Sequence, residues 1–204
     1  MEIKNIKRIL LELKIETMPF YVDVIPDKDA QINECFHNVR RVVDKQNGSI
    51  VFGWKLHEHI FMLEAEFHAV WLTPENQFID VTPTKNPASL NKMLFAIDAN
   101  TTYEGRQIDN RRLNKTSNEI VDDFIEVKKA HYRLMNTVAR EYLFGKMDLN
   151  EDEEVINDGL TESSNILERM LFDNNTIFSE CFCESGFSYN DCHRPIIRKT
   201  LAII

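Results

Sequence analysis

The chain has 204 residues, 43% of them hydrophobic and 28% charged, with only 6 Gly and 6 Pro. That balance fills a core and excludes wholesale disorder. A formal charge of −9 disfavours binding of nucleic acid through phosphates, which needs clustered Lys and Arg. The longest apolar runs are too short to cross a bilayer, so no membrane association is expected.

In chain order, Ile3, Ile6, Leu10 and Leu13 recur at helical spacing and predict an amphipathic helix over residues 1 to 15, not a signal peptide. PFYVDVIP reads as a short strand. Ile32, Cys35, Phe36, Val39 and Val43 predict a helix that Asn47-Gly48 stops. SIVFGWKL and HIFMLEAEFHAVWL read as strands, QFIDVTP as another after the turn TPEN, and KMLFAIDA as one more. YEGRQIDNRRLNKTSN reads as a polar loop, and its Arg106, Arg111 and Arg112 form the best local basic patch. Thr116 and Glu119 have capping-box spacing and open a long helix to about Leu143. Met93, Phe95, Met135 and Val138 read as core. Leu149 to Glu154 is an acidic break, and Asn157 to Phe172 a further helix.

The four cysteines are uneven. Cys35 stands alone, whereas Cys181, Cys183 and Cys192 fall close together with His193 beside the last. Without an export signal such a cluster points to metal before disulfides, and to a reducing cytoplasm. Three thiolates and one imidazole fill a zinc tetrahedron and leave no position for water, so the expected role of Zn2+ is structural. The string C-x-C-x-S-G-x-x-Y-x-x-C-H, carried by Cys181, Cys183, Ser185, Gly186, Tyr189, Cys192 and His193, closely resembles the SEC-C motif. The resemblance implies a zinc knuckle that docks a protein partner or protein substrate. Glu184 and Phe187 depart from the motif's usual Gly and basic residue, which argues against docking to anionic surfaces.

A second constellation lies in EAEFHAVWLTPENQFIDVTP. Along the first strand Glu64, Glu66, His68 and Val70 share one face, and Ala65, Phe67, Ala69 and Trp71 the other. A three-residue hairpin loop, Pro74-Glu75-Asn76 with Asn76 left-handed, sets Trp71 opposite Ile79. His68 and Asp80 then share a face, within reach of a diagonal contact. A slip of one residue would bury Asp80 among apolar side chains. A carboxylate beside an imidazole fixes its tautomer and stabilises the imidazolium. Cys35, near the start of a helix capped by Asn33, is the candidate thiol, since helix N-termini and imidazolium both favour thiolate. A helix that began at Asp27 or Asp29 would place Cys35 mid-helix and remove that activation. The order Cys, helix, strand with His, strand with Asp resembles papain-like and transglutaminase-like proteins, and HAVWLTPENQFIDVTP is similar to the His-to-Asp stretch of the latter. That resemblance spans about residues 30 to 84. It implies Cys35 as nucleophile, His68 as general base and acid, and Asp80 as orienting carboxylate in acyl transfer at an amide. Gln31 and Asn33 are candidate oxyanion donors, and Glu66 a substrate contact or an ion-pair partner.

The expected architecture is α+β: an antiparallel sheet with the Cys35 helix packed on it over residues 1–147, a helical connector over 148–177, and the zinc module over 178–204. Three functions remain open. One is a thiol enzyme acting on an amide, as peptidase, deamidase or transglutaminase. Another is a non-enzymatic adaptor of the same fold that binds protein through its zinc module. The third is a hydrolase whose metal is held by His57 and His59 with His68 or Glu66.

Overall fold

The structure, a computed structural model, describes residues 1–84, 91–137, 149–202 and 204. The chain is mixed α/β and divides into two compact units, Met1–Glu58 with Leu63–Glu104, and His59–Met62 with Gly105–Ile204.

In the first unit, α1 (Ile3–Leu13) and α2 (Cys35–Gln46) accompany β1 (Phe20–Val24), β2 (Ser49–Glu58), β3 (Met62–Leu72), β4 (Phe78–Asp80) and β5 (Lys92–Ile97). The strands pair β2 to β3, β3 to β4, β4 to β1, β1 to β5 and β5 back to β2, which closes a small barrel. Closure corrects the antiparallel expectation, because β1 lies parallel to β4 while the other pairings are antiparallel. A five-strand ring cannot close with every neighbour antiparallel, since alternating directions need an even number.

The alternation of β3 sorts its side chains between two cores. Ala69 and Trp71 pack with Cys35, Val39 and Val42 of α2. Val70 packs with Val22, Met93, Phe95 and Phe78, in a cluster drawn from all five strands. The end of α2 follows its sequence signal: Asn47 and Gly48 both have positive φ, 63° and 88°. A Cβ on Gly48 would lie 2.6 Å from the Trp71 ring nitrogen, which donates to the Asn47 carbonyl at 2.9 Å.

The second unit contains β6 (Arg111–Asn114), α3 (Glu119–Met135), α4 (Glu151–Phe172) and α5 (His193–Leu201). Val121, Phe124, Ile125 and Leu134 of α3 share a core with Leu160, Leu167 and Met170 of α4 and with Cys181 and Tyr189. Several expectations are corrected here. The loop YEGRQIDNRRLNKTSN contains β6. The cap of α3 is Asn118, whose side chain accepts from the Ile120 N–H at 3.1 Å, while Thr116 accepts from the Asn118 N–H. α3 stops at Met135 because the Asn136 side chain donates to the Tyr132 carbonyl at 2.9 Å, satisfying an end group of the helix. The acidic stretch read as a break is the first turn of α4. Asn150 and Glu153 form a capping box there, and Glu151, Asp152, Glu153 and Glu154 complement the helix dipole. Because α3 packs on α4, it falls in the same unit as the C-terminal helices and β6. The expected helix end near Leu143, the core residue Val138 and the boundary at 147 lie outside the described residues.

Candidate functional site

Cys35 is the first residue of α2. The helix begins there and not at Asp27 or Asp29, because Asn33 adopts a left-handed φ of 65°. The cap position is Glu34 rather than Asn33, and its side chain makes no capping bond to the first turn. The backbone N–H groups at the head of α2 are therefore not held by a cap side chain.

The hairpin forms in the expected register. Trp71 lies opposite Ile79, Asn76 has a φ of 63°, and the Thr73 N–H donates to the Gln77 carbonyl at 2.9 Å across the three-residue loop. His68 and Asp80 consequently meet, with His68 Nε2 3.1 Å from Asp80 Oδ1. Both are buried, at 2% and 0% exposure. The contact is close but poorly aligned, for neither ring nitrogen of His68 has a well-directed hydrogen bond and Asp80 Oδ2 has no partner. Asp80 Oδ1 also accepts from the Thr82 N–H at 2.9 Å.

Cys35 and Asp80 both act on the buried His68 ring. Burial alone would lower the His68 pKa, but the neighbouring Cys35 and Asp80 outweigh it and raise it to about 10. Asp80 moves oppositely: burial would raise its carboxyl, yet the facing His68 holds it below the usual range. The arrangement favours an imidazolium held between a thiol and a carboxylate. Such a ring can stabilise thiolate and later release a proton to a leaving group.

Sequence reasoning missed the residue that ties this site together. Asn38, buried on α2, accepts from the Gln31 N–H at 3.0 Å and donates to the Gln31 carbonyl at 2.7 Å. It also donates to Thr82 Oγ1 at 3.3 Å. The loop before Cys35, the Cys35 helix and the turn that holds Asp80 are thus joined through one amide. An asparagine at a core position of an amphipathic helix is the signal that would have found it. Gln31 and Asn33, the expected oxyanion donors, are exposed. Tyr103 was also missed. It stacks on Phe36, the neighbour of Cys35, with ring centroids 3.7 Å apart and planes 2° apart.

Glu66 pairs with His57 at 3.6 Å. Burial would raise its carboxyl, but His57 and His68 bring it below the usual range. His57, His59, Glu66 and His68 form no metal-ligating cluster among the described residues. Arg112 of the expected basic patch is spent on Asp109 at 3.0 Å.

In the second unit Cys181, Cys183, Cys192 and His193 converge, with their ligand atoms within 4.8 Å of one another. Cys181 Sγ lies 3.1 Å and Cys192 Sγ 3.3 Å from His193 Nδ1, and Cys183 Sγ lies 3.6 Å from Cys192 Sγ. The edges of a zinc tetrahedron with such ligands are about 3.5–3.8 Å, so the donor set fits a metal ion with little adjustment. The turn that gathers the ligands needs left-handed backbone at Glu184 and Gly186, with φ of 57° and 78°. It is closed by the Cys181 N–H donating to the Phe187 carbonyl at 2.9 Å. Hydrogen bonding by Ser185 pulls the Cys183 thiol down to about 6, which favours the thiolate that metal binding requires. Behind the ligands, Arg194 Nε donates to Asp123 Oδ2 at 2.8 Å, Arg194 Nη2 to Glu119 at 2.6 Å, and Arg198 Nε to Asp123 Oδ1 at 2.9 Å. The cluster is thereby fastened to α3 through the buried Asp123.

No family model, curated protein or solved structure matches the chain. Among the described residues, no helix is long and apolar enough to cross a membrane.

Proposed function

We propose that this protein is a cysteine-dependent amide acyl-transfer enzyme of papain-like or transglutaminase-like kind, carrying a zinc-bound SEC-C-like module that docks a protein. The observation that carries the catalytic part is the 3.1 Å pair of His68 and Asp80, formed where Cys35 at the head of α2 also acts on His68. In this reading the Cys35 thiolate attacks the amide carbonyl carbon and a C–S bond forms as the carbonyl π pair moves to oxygen. Collapse breaks the C–N bond, and the His68 imidazolium gives its proton to the departing amine. His68, now neutral, takes a proton from the water or amine that attacks the thioester, and the thiolate leaves. Asp80 keeps the ring oriented throughout. Zn2+ in the Cys3His centre is structural, because all four positions of its tetrahedron are taken by protein.

The test is the pH dependence of Cys35 alkylation in zinc-loaded protein, compared with His68→Ala and Asp80→Asn. The expected alkylation is rapid near neutral pH in the wild type and markedly slower there in His68→Ala. A thiol unaffected by either substitution would sink the enzyme reading.

A second reading has an observation of its own. Cys35 is 6% exposed, and His68 and Asp80 are more deeply buried. A triad closed to substrate suits a non-enzymatic adaptor that binds protein through its zinc module.

A further inference from the structure

A tetrahedral intermediate at Cys35 needs two hydrogen-bond donors aimed at its oxygen. The head of α2, uncapped by Glu34, supplies one in the backbone N–H of Cys35. The second is not evident upstream, since the backbone of Gln31 is spent on Asn38 and Asn33 is exposed.

Tyr103 has the required features. Its ring lies flat on Phe36, the residue after Cys35. Phe36 is itself wedged against Phe52 and Phe67, at 6.1 and 5.7 Å between centroids. The segment leading to Tyr103 is held by a relay. Trp54 Nε1 on β2 donates to Asp98 Oδ2 at 2.9 Å, and Asp98 Oδ1 accepts from the Asn100 and Thr101 N–H groups at 2.9 and 3.2 Å. At the end of this scaffold the Tyr103 hydroxyl is buried and has no hydrogen-bond partner. Buried hydroxyls are ordinarily satisfied, so an orphan at the end of a hydrogen-bonded segment has its donor free for a further partner. Burial, with Cys35 and Glu34 nearby, pushes the phenol up to about 12, so it stays a donor wherever the thiol is active.

We propose that the Tyr103 hydroxyl is the second oxyanion donor of the Cys35 site, a catalytic residue that contacts the substrate carbonyl oxygen. This rests on the acyl-transfer reading of Cys35. As the thiolate adds to the carbonyl carbon, the π pair localises on oxygen, which accepts from the Cys35 N–H and the Tyr103 O–H. When the intermediate collapses the pair returns, the leaving group departs with the His68 proton, and Tyr103 keeps its own proton.

Two reagents separate this role from a structural one. Iodoacetamide alkylates the thiol at a saturated carbon and generates no oxyanion, whereas p-nitrophenyl acetate acylates it through one. Both rates are read on the Cys35 peptide by mass spectrometry in zinc-loaded wild type and Tyr103→Phe, which keeps the ring stack. The expected result is alkylation within about twofold of wild type and acylation slowed at least about tenfold, towards the hundredfold typical of a lost oxyanion donor. Unchanged acylation overturns the proposal, as does an equal slowing of both reactions, which would make Tyr103 a determinant of the thiol itself. Wild-type Cys35 inert to both reagents would instead defeat the acyl-transfer reading on which the proposal stands.

Discussion

The two cysteine-bearing centres of this chain are built in opposite ways. The Cys3His cluster takes all its ligands from one short segment, Cys181 to His193, folded by local turns. The Cys35, His68 and Asp80 centre takes its members from a helix and two strands, and exists only when α2 packs on the β3–β4 hairpin. One is exposed at its edge, at Cys183, and offers four ligand atoms close enough to hold a metal ion. The other is buried and holds unpartnered polar atoms on His68 and Asp80. A local centre can be read from spacing and is stabilised by what it binds. A dispersed centre depends on register and on packing between distant segments, and here it leaves buried polar atoms unsatisfied.

The strongest break of this contrast is metal removal. Structural zinc contributes about 10–16 kcal/mol of apparent binding free energy that is also folding free energy. Chelation, or Cys181→Ser, is expected to abolish metal binding and strip protease protection from α5, which starts at the ligand His193. The NMR signals of His68, in the other unit, should not move. A metal-free protein with α5 still protected would show that the ligands are gathered by packing and not by the ion.

The next effect concerns the buried pair, and it sharpens the contrast through pH. His68 has a folded pKa of about 10, above its ordinary 6.5. Its contribution to stability is therefore complete below about pH 6.5 and disappears as pH rises through about 10. Asp80 is shifted down, so its contribution is present above its ordinary value near 4 and disappears as pH falls through its lower folded value. Denaturant unfolding followed against pH should show both losses. Asp80→Ala leaves the imidazolium uncompensated, and a loss of about 3–5 kcal/mol at pH 6 is expected. Insensitivity to that substitution would mean that the His68 ring is neutral in the folded protein.

A smaller effect tests barrel closure alone. Gly53 on β2 lies opposite His68, and a Cβ there would strike the Ala96 carbonyl and lie 2.6 Å from the Phe95 ring. Gly53→Ala is expected to cost about 1–3 kcal/mol by overpacking, read as a lower unfolding midpoint of the first unit with metal binding unchanged. A midpoint equal to wild type would show that β5 can move away from β2 without loss.

Short-range information explains what the sequence determined by itself. The Cys3His spacing, the Asn47-Gly48 stop of α2 and the His68 to Asp80 hairpin depend on neighbours a few residues apart. Turn chemistry and the two-residue alternation of a strand act at that range. The register of the hairpin was legible because the alternative would have buried a carboxylate among apolar side chains. Tertiary structure alone decided the parallel meeting of β1 and β4, the strand hidden in a polar loop, and the grouping of α3 with α4. It also decided the parts played by Asn38 and Tyr103. Asn38 reads as an ordinary polar residue until the loop of Gln31 and the hydroxyl of Thr82 arrive beside it. Tyr103 reads as a loop aromatic until Trp54 and Asp98 fix the chain that presents it to Phe36. Those contacts join segments far apart in the chain, and their free energy appears only after the entropy of closing the intervening loops has been overcome.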